Sequence, residues 1–181
     1  PLLLDTYDYS LNQIPGFDSG KVVMEYDSTS LFTVGVGIER HFNLKLPSEF
    51  NRISGLNGGD NLKSAITASY KLPGDNDYTD ISPEDINTTY EGQVDFKLKA
   101  TEILNVGSKM SVRVQINFGK ILDDLDLGPT FDYKTLIPDA TGGGYTFSGT
   151  VTTDEWLDAW PAVAATGTTD GTEAAKSGAK P

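Results

Sequence analysis

The amino-acid sequence predicts an all-β fold: an antiparallel sandwich of two sheets, with one short helix and an extended C-terminal tail. Three observations predict it. Hydrophobic residues recur with a period of two, turn-forming residues separate the periodic segments, and the β-α-β rhythm of a parallel sheet is missing. A single jelly roll is the favoured topology, and an immunoglobulin-like topology is the alternative. The 181 residues are enough for one domain with a hydrophobic core.

Seven segments carry the strand pattern. In residues 41–46, Phe42 and Leu44 alternate with polar side chains, which predicts a strand with a buried face and a solvent-exposed face that includes His41. Residues 63–72 repeat the alternation and, together with Leu62 in the same register, predict a strand of about 11 residues, roughly 36 Å long. The other predicted strands are residues 21–26, 31–38, 94–98, 110–118 and 145–153.

A long loop is predicted between two of these strands. Residues 73–89 contain two prolines and five acids with little periodicity, which predicts an exposed segment of the kind where partners bind. Its acids Asp75, Asp77 and Asp80 are candidate interface residues. A calcium loop beginning at Asp75 is disfavoured, because Asp80 stands where that pattern needs glycine. Solvated acids are the favoured interpretation, and calcium binding is left open.

The chain after the last predicted strand carries both tryptophans. Thr153 is a candidate helix N-cap, and Trp156 and Trp160 then fall on one side of a short helix. The tryptophans either bind another chain or a sugar, or close one end of the sandwich. We predict a β-sandwich domain over residues 1–161 and an extended tail over residues 162–181, whose composition cannot form its own core. The candidate interface residues of this region are Trp156, Trp160, Thr166 and Pro181.

Composition excludes several classes of function. The formal net charge is -12, from 14 basic and 26 acidic side chains, which opposes binding to nucleic acid. Cysteine is absent and His41 is the only histidine, so disulfides, thiolate metal sites and multi-histidine centres are ruled out. No pair of carboxylates stands out by its spacing. We therefore predict that the chain is not an enzyme, with no catalytic, metal-binding or cofactor-binding residue.

Three further signals carry less information. Asp123, Asp124 and Asp126 form a second acidic cluster, for which solvated acids are again the favoured interpretation. Asn87 begins Asn-Thr-Thr, which is an acceptor sequence for N-glycosylation in a secreted chain, and its modification is left open. The 18 aspartates against 8 glutamates are typical of halophilic proteins, in which surface carboxylates maintain hydration in concentrated salt.

Three features together carry a family resemblance: the size of the chain, the strand runs 42–46, 62–72 and 110–118, and Pro1 with no charged and apolar leader before it. In these features the chain resembles the smaller major capsid protein of tailless icosahedral viruses with an internal membrane, in the archaeal and thermophilic-bacterial group. The resemblance implies a single-jelly-roll subunit of the virion. Such a subunit packs against copies of itself and a second capsid protein, near an internal membrane, with neither catalysis nor cofactor.

Two alternatives are kept. Residues 20–31, which include Lys-Val-Val-Met-Glu-Tyr-Asp, look like the early strands of cohesin-type scaffold domains, and residues 93–100 with 107–116 look like the later ones. This second resemblance implies a secreted bacterial surface or scaffold module, extracellular or at the cell surface, that binds a protein partner. An acid-rich tube or decoration protein of tailed phages is the other alternative.

Overall fold

Two antiparallel β-sheets pack face to face in the computed structural model, which confirms the predicted sandwich. The structure describes residues 2–5, 21–27, 40–72, 75–88, 92–98, 110–126, 133–152 and 165–168. The strands of this described part are β1 (Leu2–Asp5), β2 (Lys21–Asp27), β3 (Arg40–Lys45), β4 (Ile66–Lys71), β5 (Thr79–Asp80), β6 (Ile86–Thr88), β7 (Gln93–Leu98), β8 (Ser111–Asn117), β9 (Thr146–Thr152) and β10 (Ala165–Thr168).

The core lies between the inward faces of the two sheets. Sheet I has the strand order β1-β2-β8-β4-β5, and sheet II has the order β10-β9-β3-β7-β6. The register places Val22 opposite Ile116 in sheet I and Phe42 opposite Phe96 in sheet II. All four side chains are buried. Their alternation with outward side chains is the period of two that the sequence shows.

The chain crosses repeatedly between the sheets. Among the described strands, five successive pairs have their members in different sheets, namely β2 and β3, β3 and β4, β5 and β6, β7 and β8, and β8 and β9. At one side of the sandwich β1, an edge strand of sheet I, contacts β10, an edge strand of sheet II. The choice between jelly-roll and immunoglobulin-like topology stays a prediction, because residues 28–39, with the strand predicted at 31–38, lie outside the described residues.

Two short helices precede β4. They are α1 (Asn51–Gly55) and α2 (Asp60–Ser64). The strand predicted over residues 63–72 is therefore wrong at its beginning, and β4 is a shorter strand. The buried Leu62 and Ile66 stand four residues apart, a spacing that an amphipathic helix produces as readily as a strand does.

The turn between α1 and α2 needs residues that tolerate left-handed backbone. Asn57, Gly58 and Gly59 have φ angles of 52°, 66° and 95°. Glycine adopts this conformation without steric cost, and asparagine adopts it more readily than most other residues. A Cβ atom on Gly59 would also lie 2.8 Å from Oγ1 of Thr88. Backbone and packing therefore both require glycine at this position.

A third helix, α3 (Phe118–Leu125), follows β8 directly, and the sequence pattern does not predict it. Ile121 and Leu122 are buried on its inner side. On its outer side Nζ of Lys120 lies 2.6 Å from a carboxylate oxygen of Asp124, one turn further along. Asp124, a member of the second acidic cluster of the sequence, therefore lies on a helix surface.

The segment predicted as a long exposed loop is partly ordered into the sandwich. It contains β5, a 3₁₀ turn at Pro83–Asp85 and β6. Ile81 and Ile86 are buried. The amide of Ile81 donates to the carbonyl oxygen of Ala68 at 2.9 Å, which continues the pairing of β5 with β4. Ile81 and Ile86 are five positions apart, and this spacing matches neither the strand period nor the helix period, so the sequence does not predict strands this short.

An aromatic cluster fills the end of the core where β8 passes into α3. Phe50, in a 3₁₀ turn just before α1, is fully buried and stacks on Phe118 with ring centroids 4.7 Å apart. Its ring centroid also lies 4.9 Å from that of Tyr145 and 5.7 Å from that of Phe147. The hydroxyl of Tyr145 donates to the carbonyl oxygen of Pro138 at 2.7 Å. The helical insertion between β3 and β4 is thereby anchored in the core.

Gly149 and Gly142 should respond in opposite directions to alanine. A Cβ atom on Gly149 would lie 2.8 Å from Cζ of Phe42, whose ring is held between Tyr26 and Phe96. Gly149→Ala should therefore lower the free energy of unfolding by about 1–3 kcal/mol. A Cβ atom on Gly142 meets nothing within 4 Å, so Gly142→Ala should raise it by about 0.4–1 kcal/mol. Urea unfolding curves measure both, and equal effects would contradict the packing around Phe42.

The predicted C-terminal helix and most of the predicted tail lie outside the described residues. The helix carrying Trp156 and Trp160 therefore stays a prediction, and so does the division at residue 161. Within the predicted tail, β10 pairs with β9 and places Thr166 opposite Ser148.

Candidate functional site

The outer face of sheet I is open to solvent. Because Val22 and Met24 point into the core, the alternation along β2 turns Val23 and Glu25 outward. The same alternation along β8 and β4 turns the polar side chains of those strands outward. We call this surface the open face, and its residues are Val23, Glu25, Thr67, Ser69, Arg113 and Gln115, all half-buried or exposed.

The middle of the outer face of sheet II is buried instead. His41 is 5% exposed and Asp95 is 1% exposed, although both alternate with core residues. The prediction of an exposed His41 is therefore wrong. Nδ1 of His41 lies 2.9 Å and 3.0 Å from the two carboxylate oxygens of Asp95, which accept its hydrogen bond. The alternation at positions 41 and 95 gives no signal that their polar face is covered.

A shallow groove of about 220 Å³ crosses the open face between β2 and β5. Its floor is mostly apolar and is formed by short side chains and backbone of three strands. Asp80 stands at the β5 wall, and Arg113 stands at the wall nearer β2. The lining residues are Val23, Thr67, Ala68, Ser69, Asp80, Arg113, Val114 and Gln115.

Tyr78 bounds the open face beside this groove. Its hydroxyl donates to Glu25 Oε1 at 2.8 Å, so it reaches across β4 and β8 to β2. Its ring lies 3.9 Å from the guanidinium carbon of Arg113 and 5.7 Å from Nζ of Lys71. Nε of Arg113 lies 3.4 Å from the same oxygen of Glu25. The charge of Arg113 is thus balanced within the open face.

The phenol of Tyr78 should titrate at unusually high pH. Burial raises its pKa above 10.0, and its hydrogen bond to Glu25 raises it further, while Ser111 and Arg113 act in the opposite direction. Because the fold favours the protonated phenol, its contribution to stability is complete below pH 10.0 and is lost as the pH rises through the raised pKa. Carbon NMR of the tyrosine Cζ atoms, with Tyr78→Phe for assignment, measures this titration. A midpoint at or below pH 10.0 would contradict the contacts of Tyr78.

The acids predicted as interface residues lie at the rim of the open face. Asp75, Asp77 and Asp80 are all exposed, and Asp80 also lines the groove. Asp75 accepts a hydrogen bond from the amide of Leu72 at 3.0 Å, so it also shapes the turn before β5. Thr166 is exposed on β10, which belongs to sheet II, whereas Asp80 lies on β5 of sheet I. The remaining predicted interface residues, Trp156, Trp160 and Pro181, lie outside the described residues.

Within the described ranges, no group of three or more histidine, aspartate or glutamate side chains is arranged to hold a metal ion. Asn87 lies half-buried on β6, an edge strand of sheet II. A second cleft, of about 500 Å³, is lined by Pro47, Ser48 and Glu49 and by the loop of residues 141–146. It lacks the apolar and aromatic lining of small-molecule sites.

The sequence predicts part of this site. The alternation in residues 63–72 and 110–118 places Thr67, Ser69, Arg113 and Gln115 on one polar side of their strands. Tyr78 gives no such signal, because its role depends on the turn between β4 and β5, from which its side chain reaches across two strands.

Among the residues that the structure describes, none of the helices is both long enough and apolar enough to cross a membrane. No protein-family model matches this sequence, and no curated protein sequence matches it. One solved structure, titled "Biofilm associated protein - B domain", is similar with 13% sequence identity and a TM-score of 0.35. The match covers 83% of this chain and 32% of that one, so the chain spans about a third of that structure. A likeness this distant carries no argument about function.

Proposed function

We propose that this chain is a non-enzymatic β-sandwich module of an extracellular surface or scaffold protein, and that it acts by binding another protein. The observation that carries the proposal is the open face of sheet I, with its groove and its exposed acidic rim. The groove, at about 220 Å³, is smaller than the roughly 300–1,000 Å³ of small-molecule pockets. It suits one side chain of a larger partner better than a whole metabolite.

The two sheets support the choice of surface. The outer face of sheet II has buried polar residues at its centre, whereas the outer face of sheet I exposes side chains from β2, β4 and β8. Segments of the cohesin-type resemblance occur as strands β2, β7 and β8. This agreement supports a scaffold-type β-sandwich without choosing its partner.

The capsid subunit stays a prediction from the sequence. It shares the β-sandwich with the surface module. The virion location, the contacts with copies of itself and with a second capsid protein, the nearby internal membrane and the halophilic character stay predictions with it.

Site-specific cross-linking in the native source tests the proposed binding surface. A photo-reactive phenylalanine at Gln115 should cross-link another protein, because Gln115 lies on the open face. The same group at Lys45, which is exposed on sheet II, is the matched control and should give much less product. Equal yields at both positions, or no product at Gln115, would contradict the proposal.

Location is tested by a separate experiment. Labelling of intact cells with a membrane-impermeant reagent should modify the chain if it belongs to a surface protein. Electron microscopy of the same culture should show no particles built from it. Closed icosahedral shells that contain the chain would overturn the surface module and support the capsid prediction.

A further inference from the structure

The groove on the open face combines an apolar floor with one unpaired acid. Val23 and Thr67 contribute outward side chains to the floor, Ala68 lines it while its own side chain faces the core, and Asp80 stands at the β5 wall. Among the described residues Asp80 forms no ion pair. A cavity of about 220 Å³ with this lining fits a long side chain that is apolar along its stem and charged at its end.

The charges around the groove select a cation. Arg113 lines the opposite wall, but its charge is engaged by Glu25 and by the ring of Tyr78. Asp75 and Asp77 are exposed in the segment that leads to Asp80, and the whole chain carries a net charge of -12. A cationic partner is therefore attracted over distance and is neutralised locally by Asp80.

Arginine satisfies these requirements better than lysine. Its planar guanidinium can bind a carboxylate with two parallel hydrogen bonds and is more weakly hydrated than an ammonium group. Arginine is also enriched among the side chains that dominate protein–protein binding energy.

We propose that the groove binds one arginine side chain of a partner protein, with the stem on Val23 and Thr67 and the guanidinium at Asp80. This inference rests on the proposed function, because it names the chemistry of the partner at the open face. The partner is a polypeptide that presents an arginine at the centre of its binding surface.

Nitrogen–proton NMR titration of the intact chain tests the site with a defined probe, N-acetyl-arginine methylamide. The amide signals of Thr67, Ser69 and Asp80 should shift together as the probe is added. N-acetyl-citrulline methylamide has the same shape without the charge, and it should bind about threefold to fivefold more weakly, as expected for a partly exposed ion pair. A lysine probe that binds as tightly as the arginine probe would overturn the choice of arginine.

Two charge-matched variants locate the binding. Asp80→Asn should weaken the arginine probe about threefold to fivefold, whereas Asp77→Asn should weaken it less than about twofold. Both aspartates are exposed in the same segment, but only Asp80 lines the groove. Equal effects of the two variants, or shifts spread over every acidic residue, would show general charge attraction and overturn the site.

The outcome separates this inference from the proposed function. If Gln115 cross-links a protein but the arginine probe leaves Thr67 and Ser69 unshifted, the surface module stands and the arginine site fails. If the chain is found in closed shells while the probe binds at Asp80, the surface module fails and the arginine site stands.

Discussion

Replacing Phe50 with alanine should lower the free energy of unfolding by about 4 kcal/mol, the largest loss we expect from any single substitution proposed for this chain. Phe50 is fully buried and contacts the rings of Phe118, Tyr145 and Phe147. Its removal leaves a cavity that three aromatic rings cannot fill without leaving their own packing. Chemical denaturation of the wild type and the variant measures the loss.

Phe50→Leu is the matched control for this prediction. Leucine keeps much of the apolar volume and should cost less than half as much as alanine, because the transfer and cavity terms both shrink. A loss below about 1 kcal/mol for Phe50→Ala would mean that the 3₁₀ turn before α1 is not anchored in the core.

Asp95→Ala should lower the free energy of unfolding by about 3 kcal/mol. Asp95 is 1% exposed, and both of its carboxylate oxygens lie within 3.0 Å of Nδ1 of His41. Alanine at this position removes the hydrogen bond between Nδ1 of the buried His41 and the carboxylate, and losing a buried hydrogen bond of this kind is costly. Asp77→Ala is the matched control, and it should change stability by less than about 0.5 kcal/mol because Asp77 is exposed.

A double-mutant cycle separates the pair from its surroundings. The cycle compares the free energies of unfolding of the wild type, His41→Ala, Asp95→Ala and the double variant. We expect a coupling energy of about 1–3 kcal/mol between the two positions. Additive effects would show that His41 and Asp95 stabilise the fold independently, and would contradict the hydrogen bond between them.

The strands of the sandwich can be predicted from the sequence wherever one face of a strand is buried and the other is exposed to solvent. β8 is such a strand: Val112, Val114 and Ile116 are buried, and the residues between them are half-buried or exposed. A polar side chain on an outer sheet face that the fold covers cannot be recognised in this way. His41 is the example, because its polarity predicts solvent while the fold covers it.

The sequence does not predict the short helices for a related reason. α1 and α2 have five residues each, which is too short for a helical period to emerge from the sequence. Their positions depend instead on the left-handed turn at residues 57–59 and on the burial of Phe50, and the second of these is a tertiary effect.

The contact between β1 and β10 has a consequence for how the described chain unfolds. Each of the two strands lies at the edge of its own sheet, so β1 and β10 cover each other at that side of the sandwich. Detachment of either strand exposes the other strand and uncovers the edge of the sheet behind it. Fraying that begins at one of these strands should therefore loosen the other as well, although they are far apart in the sequence.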